Sequence, residues 1–458
     1  MQRISQEVTD LVNRGMDRHL KLAVTGLSRA GKTAFITSLV NQLLYTSTHD
    51  SLPLLQVSAD DRLIGAKREP QTNLLVPRFS YDEALEYLSA EPPQWPKPTK
   101  DVSEIRLAIK YKPSSGVLKY FTQTATLYLD IVDYPGEWLL DLPLLEMDFE
   151  QWSQTQLDSL KGKRLELAKP WLDAMQDFEL GADVDEKRLA EISELYTDYL
   201  HACKDAGLHW VQPGRFVLPG DLAGAPVLQF FPVKALPEET QSKTNQYAML
   251  KARYEEYQNK VVKKFYKEHF STFDRQIVLV DCLQPLNAGQ ESFGDMQTAI
   301  EQLLKSFKYG RSNLLSRLLA PKIDKVLFAA TKADHVTPDQ HANLVSLLKQ
   351  MVHPAWRHAA YENIDMSCMS LASITATEAG YVASNGGNQA AIQGVTEQGQ
   401  SMTLYPGEVP ASLPDAKYWQ QAGFDFQTFL PKPMALNQPC GHIRLDKALE
   451  FLVGDKLQ

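Results

Sequence analysis

KLAVTGLSRAGKTAFITSLVNQLL, residues 21–44, is an apolar β-prone run, a turn of small residues and a helix-like run. Gly26, Gly31, Lys32 and Thr33 satisfy G-x-x-x-x-G-K-[ST]. Residues 21–25 supply the strand this pattern needs before it, and Phe35, Leu39, Leu43 and Leu44 share one face of the helix after it. A loop that wraps a polyphosphate needs residues without bulky side chains where its N–H groups turn inward, and it gains the positive end of the following helix. Gly26, Ser28, Ala30, Gly31 and Ala34 are the expected cradle. Lys32 reaches the β and γ phosphates as a catalytic and binding residue, and the Thr33 hydroxyl is placed to ligate Mg²⁺. This motif specifies a nucleotide without saying which one.

TATLYLDIVDYPGEW, residues 124–138, is a β-branched and aromatic run ending in Asp133, Pro135 and Gly136. A buried strand therefore delivers the Asp133 carboxylate to the sheet edge beside the loop, where it can hold the metal. Gly136 leaves its N–H free to touch a γ-phosphate, which makes D-x-x-G a phosphate sensor. Asp130, earlier in the strand, reads as structural.

IDKVLFAATKADHV, residues 323–336, is another apolar strand, ending in Thr331, Lys332, Ala333 and Asp334. A carboxylate there accepts two hydrogen bonds from N1–H and the 2-amino group of guanine, and adenine offers no such pair of donors. The base is therefore expected to be guanine, with the stem of Lys332 along its ring. MSCMSLASI, residues 366–374, is a further strand whose end, Ala372 and Ser373, is expected to meet the guanine carbonyl through its backbone.

The order GLSRAGKT, DYPG, TKAD, LAS resembles that of the Ras-like P-loop GTPases. With its WPKPTKD segment and large insertions, the chain is similar over nearly its full length to the YcjX family of bacterial P-loop GTPases linked to stress responses. The resemblance implies GTP and GDP as ligands, Mg²⁺, GTP hydrolysis, and a protein effector or activator that is stress-related and membrane-associated. Two residues depart from the Ras-like pattern. Thr331 stands where Asn is usual. Glu137 stands where a water-orienting Gln is usual, and a carboxylate facing a γ-phosphate is repelled unless screened or protonated. Slow intrinsic hydrolysis is expected, with Glu137 as the water-positioning residue.

A Ras-like protein also needs a threonine that closes over Mg²⁺ and γ-phosphate. In QWPKPTKDVSEIRLAIKY, residues 94–111, Thr99 stands just ahead of an alternating strand and is preferred to its rival Thr72. Lys97 sits where G-protein α subunits supply an arginine in cis, although lysine lacks the planar fork. Arg215 is a weaker candidate for that role.

The 458 residues carry a net charge of −9, which gives no electrostatic reason to expect nucleic acid. Cys203, Cys282, Cys368 and Cys440 are far apart, so neither a zinc site nor a disulfide framework is indicated. No apolar stretch approaches the roughly 20 residues of a membrane span, and the first residues lack the apolar core of a signal peptide. Ile4, Val8, Leu11 and Val12 suggest an amphipathic helix there. The expected location is the cytoplasm, with peripheral contact at the inner membrane.

The expected fold is α/β: a mainly parallel sheet with helices on both faces, assigned to residues 1–137, 275–374 and 441–458. Residues 138–274 form a mainly helical insertion after the second switch, with helices at 186–205 and 242–270. Residues 375–440 form a smaller β-rich insertion, and residues 442–454 close the chain with a helix. A P-loop ATPase or kinase, and a GTP-binding scaffold without turnover, are the competing readings.

Overall fold

A computed structural model describes residues 18–27, 29–46, 48–98, 101–115, 122–237, 244–306, 323–361, 364–384, 387–420, 424, 426–435 and 438–458. The N-terminal helix expected around residues 4–12, and the site candidates Ser28 and Thr99, lie outside these residues. Contacts divide the chain into two compact units, the described residues of Met1–Tyr134, Phe273–Asn287 and Lys322–Gln458, and those of Pro135–Thr272 and Ala288–Pro321.

The first unit is built on a seven-stranded sheet in the order β2-β3-β4-β1-β5-β6-β7. Its strands are β1 (Arg18–Gly26), β2 (Leu63–Glu69), β3 (Ser103–Tyr111), β4 (Ala125–Asp133), β5 (Arg275–Val280), β6 (Lys325–Ala330) and β7 (Asp365–Ser370). From β4 to β7 every pairing is parallel, while β2 and β3 run antiparallel at the other side. The parallel strands read as continuous apolar runs because both of their faces are covered; RQIVLV of β5 is buried at all six positions. β2 was not foreseen. Its sequence LIGAKRE is half exposed at the sheet edge and carries a register shift between Leu63 and Gly65, so it lacks a clean two-residue alternation.

Helix α1 (Lys32–Tyr45) lays Phe35, Leu39 and Leu43 against Leu20, Leu22 and Val24 of β1. The closing helix α8 (Leu445–Val453) adds Leu445, Leu449 and Leu452 to the same core. Burying a leucine of this kind contributes about 2 kcal/mol. A second, antiparallel sheet consists of β8 (Thr377–Ser384), β9 (Gly387–Val395) and β10 (Ser401–Leu404) in the order β10-β9-β8.

The second unit is mainly helical among its described residues. A 3-10 stretch, Gly136–Glu146, leads into α3 (Phe149–Asp158), whose start carries a reciprocal cap between Asp148 and Gln151. Helix α4 (Glu186–Asp205) has the bounds its 3.6-residue pattern suggests. The segment expected to be one helix at 242–270 is α5 (Gln246–Glu256), a π-helical turn Tyr257–Val262, and Lys263–Glu268. Its stripe of Leu250, Tyr254, Tyr257, Val261 and Phe265 is buried. Trp152 stacks on Tyr254 at 5.2 Å and meets Phe230 edge-on at 5.3 Å, an aromatic core worth more than its area alone.

Residues 288–306 group with the helical unit, where Asp295 of α6 (Gln290–Ser306) pairs with Arg164 at 2.5 Å and accepts the Trp210 N–H at 2.9 Å. The described residues of 375–440 group with the first unit, where Ala376 N–H binds Asp334 at 2.7 Å. No helix among the described residues is long and apolar enough to cross a membrane.

Candidate functional site

Strand β1 ends at Gly26, and the loop after it turns through left-handed backbone at Arg29 (φ 62°) and Gly31 (φ 83°) before α1 begins. Phe35 N–H makes the first helical bond to Gly31 at 2.9 Å. No side chain caps α1 and no acid occupies its first turn, so the positive end of the helix is turned to the loop. The two motif glycines serve different ends. A Cβ on Gly26 would lie 2.7 Å from the Leu279 carbonyl oxygen, whereas one on Gly31 meets nothing within 4 Å and the demand there is the dihedral. Lys32 spans the loop, its Nζ donating to the Gly26 carbonyl at 3.3 Å.

Asp133 ends β4, buried and in register with Val24 of β1 and Ser103 of β3. Thr33 is the second residue of α1. A carboxylate and a hydroxyl are hard oxygen donors, the set that Mg²⁺ takes alongside phosphate oxygens and water. The donor types fit the ion.

At the end of β6 stands Thr331, whose N–H continues the ladder to Val280 at 2.9 Å and whose hydroxyl reaches the same carbonyl at 3.4 Å. Lys332 adopts φ 58° and places Nζ 2.6 Å from Asp281 Oδ2. Asp281 is a site residue the sequence reading passed over. Burial works to raise its carboxyl, but the Lys332 ammonium and the Gln284 and Leu283 amides hold it below the usual carboxylate range. The Ala372 N–H donates to the Ile443 carbonyl at 3.1 Å.

The Asp334 carboxylate is buried and held on two sides. Its Oδ2 accepts the N–H groups of Ala376 at 2.7 Å and Thr377 at 3.3 Å, and its Oδ1 lies 3.2 Å from His335 Nδ1. Burial again opposes ionisation, and the His335 interaction and the backbone hydrogen bonds outweigh it, so the carboxyl is held below its usual range and the group stays an acceptor. An ionised carboxylate offers about four lone-pair sites. Three are engaged here, so reading two guanine donors requires the long Thr377 contact or the His335 contact to yield.

The start of α1 and the segments after β6 and β7 meet in one cavity of about 370 Å³, within the range of small-ligand clefts; Gly26, Asp133 and Asp281 are not in its lining. Ala30, Gly31, Lys32, Thr33 and Ala34 line one side. Thr331, Lys332, Asp334, Ala372 and Ser373 line the other. A neighbouring cavity of about 280 Å³ contains Arg78 and Lys97, and Thr33, Pro96 and Pro98 line both. Pro98 is the residue before Thr99. Trp95, His335, Phe426 and Phe429 also line the first cavity. No spacing rule could have found Phe426 or Phe429, because they come from the C-terminal insertion.

A family described as YcjX-like, DUF463, matches residues 20–457. Two similar proteins are each named Ras-like GTPase YcjX. The one from Escherichia coli (strain K12) is 54% identical over 465 residues, covering 100% of both chains. The one from Shewanella oneidensis (strain ATCC 700550 / JCM 31522 / CIP 106686 / LMG 19005 / NCIMB 14063 / MR-1) is 44% identical over 478 residues, covering 100% of this chain and 99% of the other.

The chain belongs to the YcjX-like family.

In this YcjX-like chain Gly136 and Glu137 open the second unit, and Glu137 is buried there with its carboxylate 2.7 Å from Lys204 Nζ. Lys97 is engaged by Glu83 at 3.7 Å and lies over the Tyr87 ring at 5.1 Å. Arg215 lies over Trp138 at 3.2 Å and donates to the Pro219 carbonyl at 3.2 Å. Asp130 pairs with Arg106 at 2.9 Å, a structural role.

Proposed function

We propose that this YcjX-like chain is a Mg²⁺-dependent GTPase that works as a switch. The observation that carries the reading is the single cavity bounded by the G-x-x-x-x-G-K-T loop at one side and by Thr331, Lys332 and Asp334 at the other. Backbone N–H groups of the loop and Lys32 bind the phosphates of GTP, and Asp334 reads the guanine edge. Bound Mg²⁺, held by Thr33, Thr99 and Asp133, would neutralise charge on the phosphates. Gly136 senses the γ-phosphate through its N–H, and Glu137 orients the attacking water.

Glu137 is already paired with Lys204, so it does this poorly, and slow intrinsic turnover follows. The segment after Gly136 runs directly into the helical unit, which makes that unit the transmitter of the nucleotide state to an effector. The names of the two relatives support the GTPase reading. The family resemblance supports a stress-related, membrane-associated partner and a cytoplasmic protein that meets the inner membrane peripherally.

The Glu137–Lys204 pair also favours a second reading, a GTP-binding scaffold without turnover. Calorimetric titration with GTP, GDP and ATP, with and without Mg²⁺, together with phosphate release under multiple turnover, separates the readings. A Mg²⁺-dependent switch binds both guanine nucleotides, discriminates against ATP and releases phosphate. Tight GTP retention without phosphate marks the scaffold, and preference for ATP overturns both.

A further inference from the structure

We propose that residues 426–430 of the C-terminal insertion form an aromatic strap over the base site, with Phe426 as the residue that stacks on the purine. The proposal rests on the guanine-nucleotide reading above and assigns the contact to an element outside the nucleotide motifs.

Phe429 and Phe426 have different environments. Phe429 is fully buried, and it packs so closely on β9 that a Cβ on Gly394 would lie 2.6 Å from its ring. Its carbonyl accepts the Trp95 indole N–H at 2.8 Å, and Leu430 N–H donates to the Val395 carbonyl at 2.8 Å. At the other end Phe426 N–H donates to Asn287 Oδ1 at 3.1 Å. Both ends of the strap are therefore fixed to the first unit.

Phe426 itself is half-buried and lines the cavity together with Lys332 and Asp334. Its ring centre lies 5.1 Å from Lys332 Nζ and 5.2 Å from the His335 ring. Lys332 stands two residues before Asp334 and His335 directly after it, and the ring lines the same cavity as the carboxylate proposed to read the base edge. An aromatic face at that position offers what a purine face needs, and it does so for any base. Phe426 supplies affinity and Asp334 supplies selectivity.

Equilibrium titration of the full chain with GDP, ADP and inorganic pyrophosphate tests the assignment, using wild type, Phe426→Ala and Phe426→Trp. Loss of one base–aromatic stack is expected to weaken GDP binding by about 5- to 150-fold in Phe426→Ala, with pyrophosphate within about twofold of wild type. The GDP-to-ADP ratio is expected to stay at its wild-type value, and Phe426→Trp to restore GDP affinity. Unchanged GDP affinity in Phe426→Ala overturns the proposal. So does tighter binding, which would make the ring a plug, or an equal loss for GDP and pyrophosphate, which would make the strap only structural. A wild type that binds ADP as well as GDP fails the guanine reading instead, and it leaves the stacking test readable on either nucleotide.

Discussion

Replacing Gly26 by alanine puts one methyl group between β1 and β5, where Gly26 is in register with Leu279. The added Cβ would lie 2.7 Å from the Leu279 carbonyl oxygen, 2.9 Å from Leu279 Cβ and 3.1 Å from Ala30 Cβ. Two of the three belong to a paired strand and cannot swing away as the end of a long side chain would, so the strands or the loop must shift. Overpacking of this kind costs about 1 to 3 kcal/mol. The shift falls on the loop, because the Gly26 carbonyl accepts Lys32 Nζ and Ala30 lines the cavity. Gly31→Ala is the comparison for stability, since its Cβ meets no protein atom within 4 Å and the left-handed backbone, about 1 to 2 kcal/mol, is what folding loses there. Urea unfolding followed by GDP titration measures both variants. Gly26→Ala is expected to unfold at lower urea and to bind GDP at least about tenfold more weakly, a loss near 1.4 kcal/mol. A Gly26→Ala protein with the wild-type midpoint and wild-type GDP affinity refutes the reasoning.

Burial lifts the Asp141 carboxyl to about 7, against the hydrogen bonds it accepts from the Tyr257 hydroxyl and the Gly214 and Arg215 amides. The folded group holds its proton more tightly than an unfolded carboxyl near 3.8, so its stabilisation is complete below that pH and is lost as pH rises towards 7. The loss amounts to roughly 4 kcal/mol. Asp141→Asn is expected to remove that downward slope from urea midpoints taken between pH 4 and pH 7.5; a slope identical to wild type contradicts it. Lys332→Met and Asp281→Asn should each weaken nucleotide binding and stability, and their double-mutant cycle should show a coupling of about 1 to 3 kcal/mol. Strict additivity of the two would show that the pair contributes nothing.

The nucleotide motifs were legible because each is written in a contiguous strand-loop stretch. GLSRAGKT, DYPG and TKAD carry their glycines, cation and acids within a few residues of a strand end, where local chemistry and register coincide. Asp281 carries the same signal, an acid ending the apolar strand β5, and the rule that found Asp133 could have found it. β2 escaped because an exposed edge strand interrupted by Gly65 has little pattern to read. The helical insertion announced itself in the periodicity of residues 186–205, but nothing local marks the π turn at Tyr257–Val262. The placing of α6 rests on the Arg164–Asp295 pair, 131 residues apart, and the aromatic strap on Trp95 and Phe429, 334 apart. Contacts at that separation are decided by packing and leave no trace in composition or spacing.

The most direct measurement is a crystal structure of the protein grown with GDP and Mg²⁺. It should show the diphosphate under the amides of residues 30–34 and the Asp334 carboxylate within hydrogen-bonding distance of guanine N1 and the 2-amino group. A base lying outside the cavity, with Asp334 still bound only to Ala376, Thr377 and His335, would contradict the account.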